Sequence, residues 1–350
     1  MELAKKIRSL DLYIPPENEC RIRLDSNESP YDMMQLCGED ILRALSEVNV
    51  GRYPDPQYNK LIHAAAEHFG TSPELITAGN GSDELISVIL GSFLTKGDTV
   101  LTLSPDFSMY AFYGFLNEMK VQTFPKEDDL KINISKVIEQ CSREPVKAVI
   151  FSNPCNPTSL GVRRQDVLRL IKNVSCLCVI DEAYMDMWDQ SVLDMVEELD
   201  NLIVLKTASK NMGMAGLRLG FAFACKDITD HLRAVKSPYN ISSFTVAAAC
   251  EIMRHKDIID DCTRKIIEAR DALRQGILDL SDRYFSIERV YDSVTNFVYI
   301  RVQKADIIAE ELEKRSIAVR RIGGCLRITA GTLEEVEEFL SAFRQILGNM

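Results

Sequence analysis

Apolar and polar positions along this chain change period repeatedly, and the changes predict alternating strands and helices. Short apolar runs cover Thr99 to Leu103, Lys147 to Ser152, Leu177 to Ile180, Leu202 to Leu205 and Leu219 to Ala224. Helical spacing covers Asp40 to Val48, Tyr58 to Phe69 (stopped by Gly70) and a stretch that opens at Gly79-Asn80-Gly81-Ser82-Asp83. Apolar strands with polar groups at their C-terminal ends, separated by helices, predict a mainly parallel α/β sheet. In such sheets the site lies beyond the carboxyl ends of the strands. Asn156, Asp181, Tyr184 and Lys210 each follow a strand end and are expected to converge there.

From about Ile241 the pattern changes. A long helical region (242–279) precedes an alternating strand (294–302), a helix (306–315), a strand ending in Arg320, the strand CLRIT around Arg327 and a final helix (333–346). This predicts a second, smaller α+β domain over 241–350, after a large domain over 41–240. Residues 1 to about 40 read as irregular and polar, broken at Pro15-Pro16 and Ser29-Pro30. RIRLDSNESPYD reads by itself as a surface loop.

The 350 residues suffice for such a core. A net charge of −11 argues against a nucleic-acid surface, so any anion site must be built locally from a few arginines and backbone amides. No segment reads as a signal peptide or a membrane span. Ten cysteines without a C-x-x-C pair read as reduced thiols in a cytoplasmic protein. Four scattered histidines argue against a metal site.

Two stretches carry candidate chemistry. In IVLKTASKNMGMAGLRLGF (203–221), Lys210 follows a strand end, with hydroxyls before it and Arg218 after it. A lysine so placed can form a Schiff base with an aldehyde cofactor, while Thr207, Ser209 and the forked guanidinium can hold a phosphate. It can equally be a surface lysine on a strand-to-loop connection. In ITAGNGSDELISVILGSFL (76–94), a glycine-rich turn feeds a helix N-terminus. That is a ready anion site or, more simply, a Ser/Asp helix cap.

Taken together and in order, GRYPDP, AGNGSDE, NPCNPTS, IDEAY and TASKNMGMAGLRLGF resemble the class I/II aminotransferases of fold type I, which depend on pyridoxal 5′-phosphate (PLP). LDSNESPYD, SPYNIS and CLRITAGT narrow the resemblance to histidinol-phosphate aminotransferases and close relatives. The resemblance covers nearly the whole chain. It implies that Lys210 carries PLP as a Schiff base and moves the substrate proton. Asp181 would pair with the pyridine nitrogen, Tyr184 and Asn156 would hydrogen-bond the 3′-oxygen, and Phe107 would stack on the ring. Amides of Ser82 and Asp83, with Thr207, Ser209 and Arg218, would bind the phosphate. Tyr53 would reach the phosphate of a neighbouring subunit, making the active sites a shared property of a homodimer. Two departures stand out: Ser159 replaces the usual glycine after NPT, and Asn211-Met212 follow the lysine.

The resemblance also implies a small-molecule amino donor and a 2-oxo acid acceptor. Arg320 and Arg327 would hold the phosphate of histidinol phosphate, and the carboxylates of glutamate in the other half-reaction. Tyr13 and Asn27 lie in the N-terminal segment (1–40), which would cover the pocket and pack with the small domain. The leading expectation is histidinol phosphate plus 2-oxoglutarate giving imidazole acetol phosphate and L-glutamate, in histidine biosynthesis. An aromatic amino acid aminotransferase comes second, and a threonine-phosphate decarboxylase third.

Overall fold

The computed structural model describes residues 5–8, 10 and 19–350. Its twelve strands are β1 (Ile22–Leu24), β2 (Ile76–Gly79), β3 (Thr99–Ser104), β4 (Lys120–Pro125), β5 (Val146–Ser152), β6 (Leu177–Asp181), β7 (Leu202–Thr207), β8 (Gly220–Ala224), β9 (Ile287–Val290), β10 (Phe297–Val302), β11 (Ile317–Ile322) and β12 (Cys325–Thr329). Seven form a large sheet in the order β2-β8-β7-β6-β5-β3-β4. The run from β7 to β4 is parallel, and β8 is antiparallel to both of its neighbours.

Both faces of this sheet are covered. Val149 and Phe151 of β5 join one core, while Ala148 and Ile150 join the other. The central strands are therefore continuous apolar runs rather than alternating ones. The helices in chain order are α1 (Lys5–Arg8), α2 (Met33–Ser46), α3 (Asn59–Phe69), α4 (Ser82–Phe93), α5 (Met109–Leu116), α6 (Ile134–Arg143), α7 (Arg164–Lys172), α8 (Lys226–Val235), α9 (Ser243–Arg254), α10 (Lys256–Ser281), α11 (Ala305–Glu313) and α12 (Leu333–Gly348). Helices α4, α5 and α8 cover one face of the large sheet. Helices α2, α3, α6, α7 and α9 cover the other. Gly70 ends α3 in the left-handed region, as its position after the apolar stripe predicts.

The second sheet runs β1-β11-β12-β10-β9 and packs on α10, α11 and α12 in a core of its own. Two expectations change here. The N-terminal segment is not wholly irregular: Ile22 and Leu24 form a strand parallel to β11, and α2 begins at Met33. The expected break at residue 241 falls inside the large core, because Ala248, Ala249 and Ile252 of α9 pack with α2 and α3. Periodicity marks α9 as helical, but it does not identify which core its apolar stripe meets.

Among the described residues no helix is long and apolar enough to cross a membrane. Leu24 is fully buried in the second core, although its strand has only three residues. Leu24→Ala is expected to lower stability by about 2–4 kcal/mol, as a buried leucine truncation does. Urea unfolding checks this, and a loss below about 1 kcal/mol would show that β1 merely rests on the sheet.

Candidate active site

The carboxyl ends of β3, β5, β6 and β7 open into a cleft of about 760 Å³. All the expected site residues except Tyr13 and Tyr53 line it. Tyr13 lies outside the described residues. Tyr53 is 82% exposed and stacks on Tyr239 at 4.7 Å between ring centroids, away from its own chain's cleft.

Asp181 ends β6 and is buried. Its carboxylate accepts from the Tyr110 hydroxyl at 2.7 Å and from the Ala183 amide at 3.1 Å. Burial pushes its carboxyl up to about 6; the Tyr110 and Ala183 hydrogen bonds oppose the rise, and Asp106 and Asp83 add to it. Ionising Asp181 in this site thus costs about 3 kcal/mol more than it would in water. A cation set against it would remove much of that cost. Tyr110, which also lines the cleft, is a partner of Asp181 that the sequence did not single out. Its spacing of three from Phe107, at the start of α5, was the available signal.

The phosphate-binding expectation rests on a tight backbone cradle. Gly81 precedes α4 with φ +86, and no side chain caps the helix, so its first amides face the cleft without an internal acceptor. A Cβ on Gly81 would come within 2.8 Å of the Arg218 guanidinium, and one on Gly220 within 2.4 Å of the Ser82 nitrogen. Arg218 itself is held in the left-handed region at φ 49, with Asp83 3.4 Å from its guanidinium. Thr207 accepts from the Ser209 amide at 3.2 Å, which shapes the turn leading to Lys210. Among the described residues the Lys210 amine has no hydrogen-bond acceptor or carboxylate partner. It lies 5.6 Å from the centre of the Tyr184 ring.

Asn27, expected to touch substrate, lines the cleft, but its side chain is held by protein. Its amide donates to the Tyr184 hydroxyl at 2.9 Å, and its oxygen accepts from Thr329 at 3.1 Å. Tyr184 therefore accepts from Asn27, leaving its own proton to be donated elsewhere. Arg327 donates to the Asn156 side-chain oxygen at 2.7 Å, which leaves the Asn156 NH₂ as the group available to the cleft. Arg320 and Arg327 are direct cross-strand partners in the β11–β12 ladder. Arg321, Asp25 and Glu28 also line the cleft; the sequence reading did not single them out for it.

Ser159 keeps the turn that a glycine would make. It sits at φ 61, and its hydroxyl donates to the Asp292 carbonyl at 2.7 Å. Away from the cleft, Asp40, Glu251 and His255 bring three possible ligand atoms within 4.8 Å of one another. Both carboxylates are already paired, with Arg43 and Arg254.

The folded value of the Asp181 carboxyl exceeds that of an unfolded aspartate. Its contribution to stability is therefore full below about pH 4 and is lost as pH rises through about 6. Asp181→Asn is expected to reduce the fall in melting temperature of the ligand-free protein across that range. Superimposable wild-type and variant pH profiles would contradict the assignment.

Comparison with known proteins adds to this geometry. The family described as aminotransferase class I and II matches residues 21–343. The histidinol-phosphate aminotransferase of Clostridium novyi (strain NT) is 36% identical over 97% of this chain and 96% of its own. That of Thermococcus gammatolerans is 34% identical, over 99% and 98%. Among solved structures, the histidinol-phosphate aminotransferase of Sinorhizobium meliloti in complex with pyridoxal-5′-phosphate superimposes with a TM-score of 0.88 at 23% identity, covering 99% of this chain and 98% of that one.

Proposed function

This chain belongs to the class I and II aminotransferase family, whose members are PLP-dependent transaminases, and on that premise we propose that its amino donor is histidinol phosphate. The acceptor is 2-oxoglutarate, and the products are imidazole acetol phosphate and L-glutamate. The observation that carries this reading is the Arg320–Arg327 pair. Like charges directly opposite each other on one sheet face cost stability. An anionic substrate group between or beside them offsets the cost, and a guanidinium fork suits phosphate and carboxylate alike. The relatives matched over nearly their full length support the same substrate.

The site fits PLP. The glycine cradle at Gly81 and Gly220, the buried Asp181 carboxylate and the unpaired Lys210 amine match a phosphate, a ring cation and an aldehyde in turn. When bound, PLP supplies an aldehyde that condenses with amines and a ring that withdraws electrons from the substrate Cα. Lys210 would hold the cofactor and, once the incoming substrate amine has displaced it, its freed amine would take the substrate Cα proton as base and give it back as acid. Asp181, fixed by Tyr110 and Ala183, keeps the ring nitrogen protonated. Tyr184, oriented by Asn27, and Asn156, oriented by Arg327, donate to the 3′-oxygen. Amides of Ser82 and Asp83, with Thr207, Ser209 and Arg218, take the phosphate, and Phe107 covers the ring. Arg320 and Arg327 hold the substrate anion; by the family resemblance Tyr13 would lie against the imidazole.

The same reading includes a homodimer with shared sites. The exposure of Tyr53 and its position outside its own cleft support that reading. It also includes a cytoplasmic setting, consistent with ten free cysteines. The division proposed is a covering segment over 1–40, a large PLP-binding unit that takes in α9, and a small unit beyond it.

Lys210→Ala is expected to abolish transamination, and turnover near wild type in a coupled glutamate assay would refute the reading. Arg320→Ala is expected to reduce histidinol phosphate use about a hundredfold and glutamate use far less. Single-half-reaction absorbance measurements separate the two, and equal losses would remove Arg320 from phosphate binding. A wild-type protein that responds to phenylalanine, tyrosine or threonine phosphate instead would move the assignment to those substrates.

A further inference from the structure

Lys126 directly follows β4, an edge strand of the large sheet, where a lysine would ordinarily extend into water. Its side chain is instead only 1% exposed. The ammonium donates to the Pro105 carbonyl at 2.7 Å and to Cys155 Sγ at 2.9 Å, and lies 3.6 Å from the Asp106 carboxylate. These partners belong to two different loops. Pro105 and Asp106 follow β3 and lead directly into Phe107. Cys155 follows β5 and leads directly into Asn156.

Asp106 continues the connection. Its Oδ1 accepts from the Phe107 amide at 2.8 Å, from the Ser152 amide at 3.3 Å and from the Ser152 hydroxyl. The Ser152 oxygen accepts in turn from the Asn156 amide at 3.2 Å. One carboxylate thus grips the backbone of Phe107 on one side and, through Ser152, that of Asn156 on the other. The Lys126 ammonium closes the arrangement from below by touching both loops.

We propose that Lys126 and Asp106 are positioning residues, a buried ion pair that fixes Phe107 and Asn156 relative to one another across the PLP ring. The proposal rests on the functional reading above, which gives those two residues the ring face and the 3′-oxygen. A flexible loop pair would let the aromatic and the amide drift independently, and small displacements at a reacting site are costly. The pair restrains both with one charge interaction in a water-poor environment. Burial raises the Asp106 carboxyl, and Lys126 is the largest influence opposing that rise.

The test compares wild type, Lys126→Met and the double variant Asp106→Asn/Lys126→Met. Lys126→Met leaves a buried carboxylate unpaired and is expected to lower the melting temperature. The double variant removes both charges and is expected to regain most of that loss. If the pair positions the loops, both variants bind added PLP about tenfold or more weakly, measured by equilibrium dialysis. The visible circular dichroism per mole of bound PLP, which reports how the ring is held, also falls about twofold or more. Should Lys126→Met fail to fold, the double variant decides alone. PLP affinity and dichroism equal to wild type in a folded variant would overturn the proposal. So would full recovery of both in the double variant, since Lys126 would then merely neutralise Asp106. A wild-type protein that binds no PLP would overturn the functional reading itself, a result distinct from either.

Discussion

Burial of negative charge at the carboxyl edge of the large sheet is the constraint on which the site depends. Three carboxylates sit there out of water, and each is held differently. Glu182 faces Lys206 at 3.6 Å and accepts from Ser191 and from the Val192 amide. Asp106 faces Lys126. Asp181, next in sequence to Glu182 and last in β6, has among the described residues two hydrogen-bond donors and no cation. An unpaired ion in such surroundings is expensive, which is why burial raises its carboxyl to about 6. The two paired acids tie neighbouring segments together, and under the proposed function the third would meet a cation from outside the chain. A protonated pyridine ring is such a cation. The edge thus combines a structural use of buried charge with a chemical one, and neighbouring residues of one strand end serve each.

The second sheet completes the cleft from the other side. Its strand β1 is short, but it carries the chain directly to Asn27, whose φ of 54 places it in the left-handed region. Thr329 at the end of β12 and Asn296 before β10 hold that residue from the other chain segments. Asn27 then reaches across to Tyr184 beyond β6. The stretch from β1 to Asn27 is therefore a positioning element shared between the two sheets. The arginine pair belongs to the same unit, so the groups expected to bind substrate and the groups expected to bind cofactor rest on different cores. Arg327, bonded to Asn156, is a direct link between the two.

Much of this was legible beforehand. The central strands are apolar on both faces because both faces are covered, and that pattern marks them as buried; it does not set direction, since β8 is equally apolar yet antiparallel to both neighbours. Polar residues that interrupt such runs at their carboxyl ends mark the site, and Asn156, Asp181, Tyr184 and Lys210 do line one cleft. What escaped notice was polar character hidden inside apolar-looking or loop-like text. Tyr110 sits in an aromatic-rich helix where a core role is the ordinary reading. Lys126 and Asp106 are charged residues in loops, where solvent is the ordinary partner. Ser159, by contrast, stood out beforehand as a departure from the family's usual glycine; it does occupy a left-handed position, and its hydroxyl bond to Asp292 offsets part of that cost.

The sequence by itself determined the alternation of elements and the side of the sheet on which chemistry would occur, because these follow from local periodicity and from polar residues at strand ends; the choice of the lysine, the acid and the arginines came from the resemblance of the motifs to a family. Only the tertiary structure decided which donor each buried acid would have, which core α9 would join, and that β1 would become a strand. Those outcomes depend on contacts between segments far apart in sequence, such as Lys126 with Cys155, Asn27 with Tyr184 and Asp25 with Arg327. No local pattern encodes them, because burial and partner geometry are set when the layers close, and with them the price of each charge.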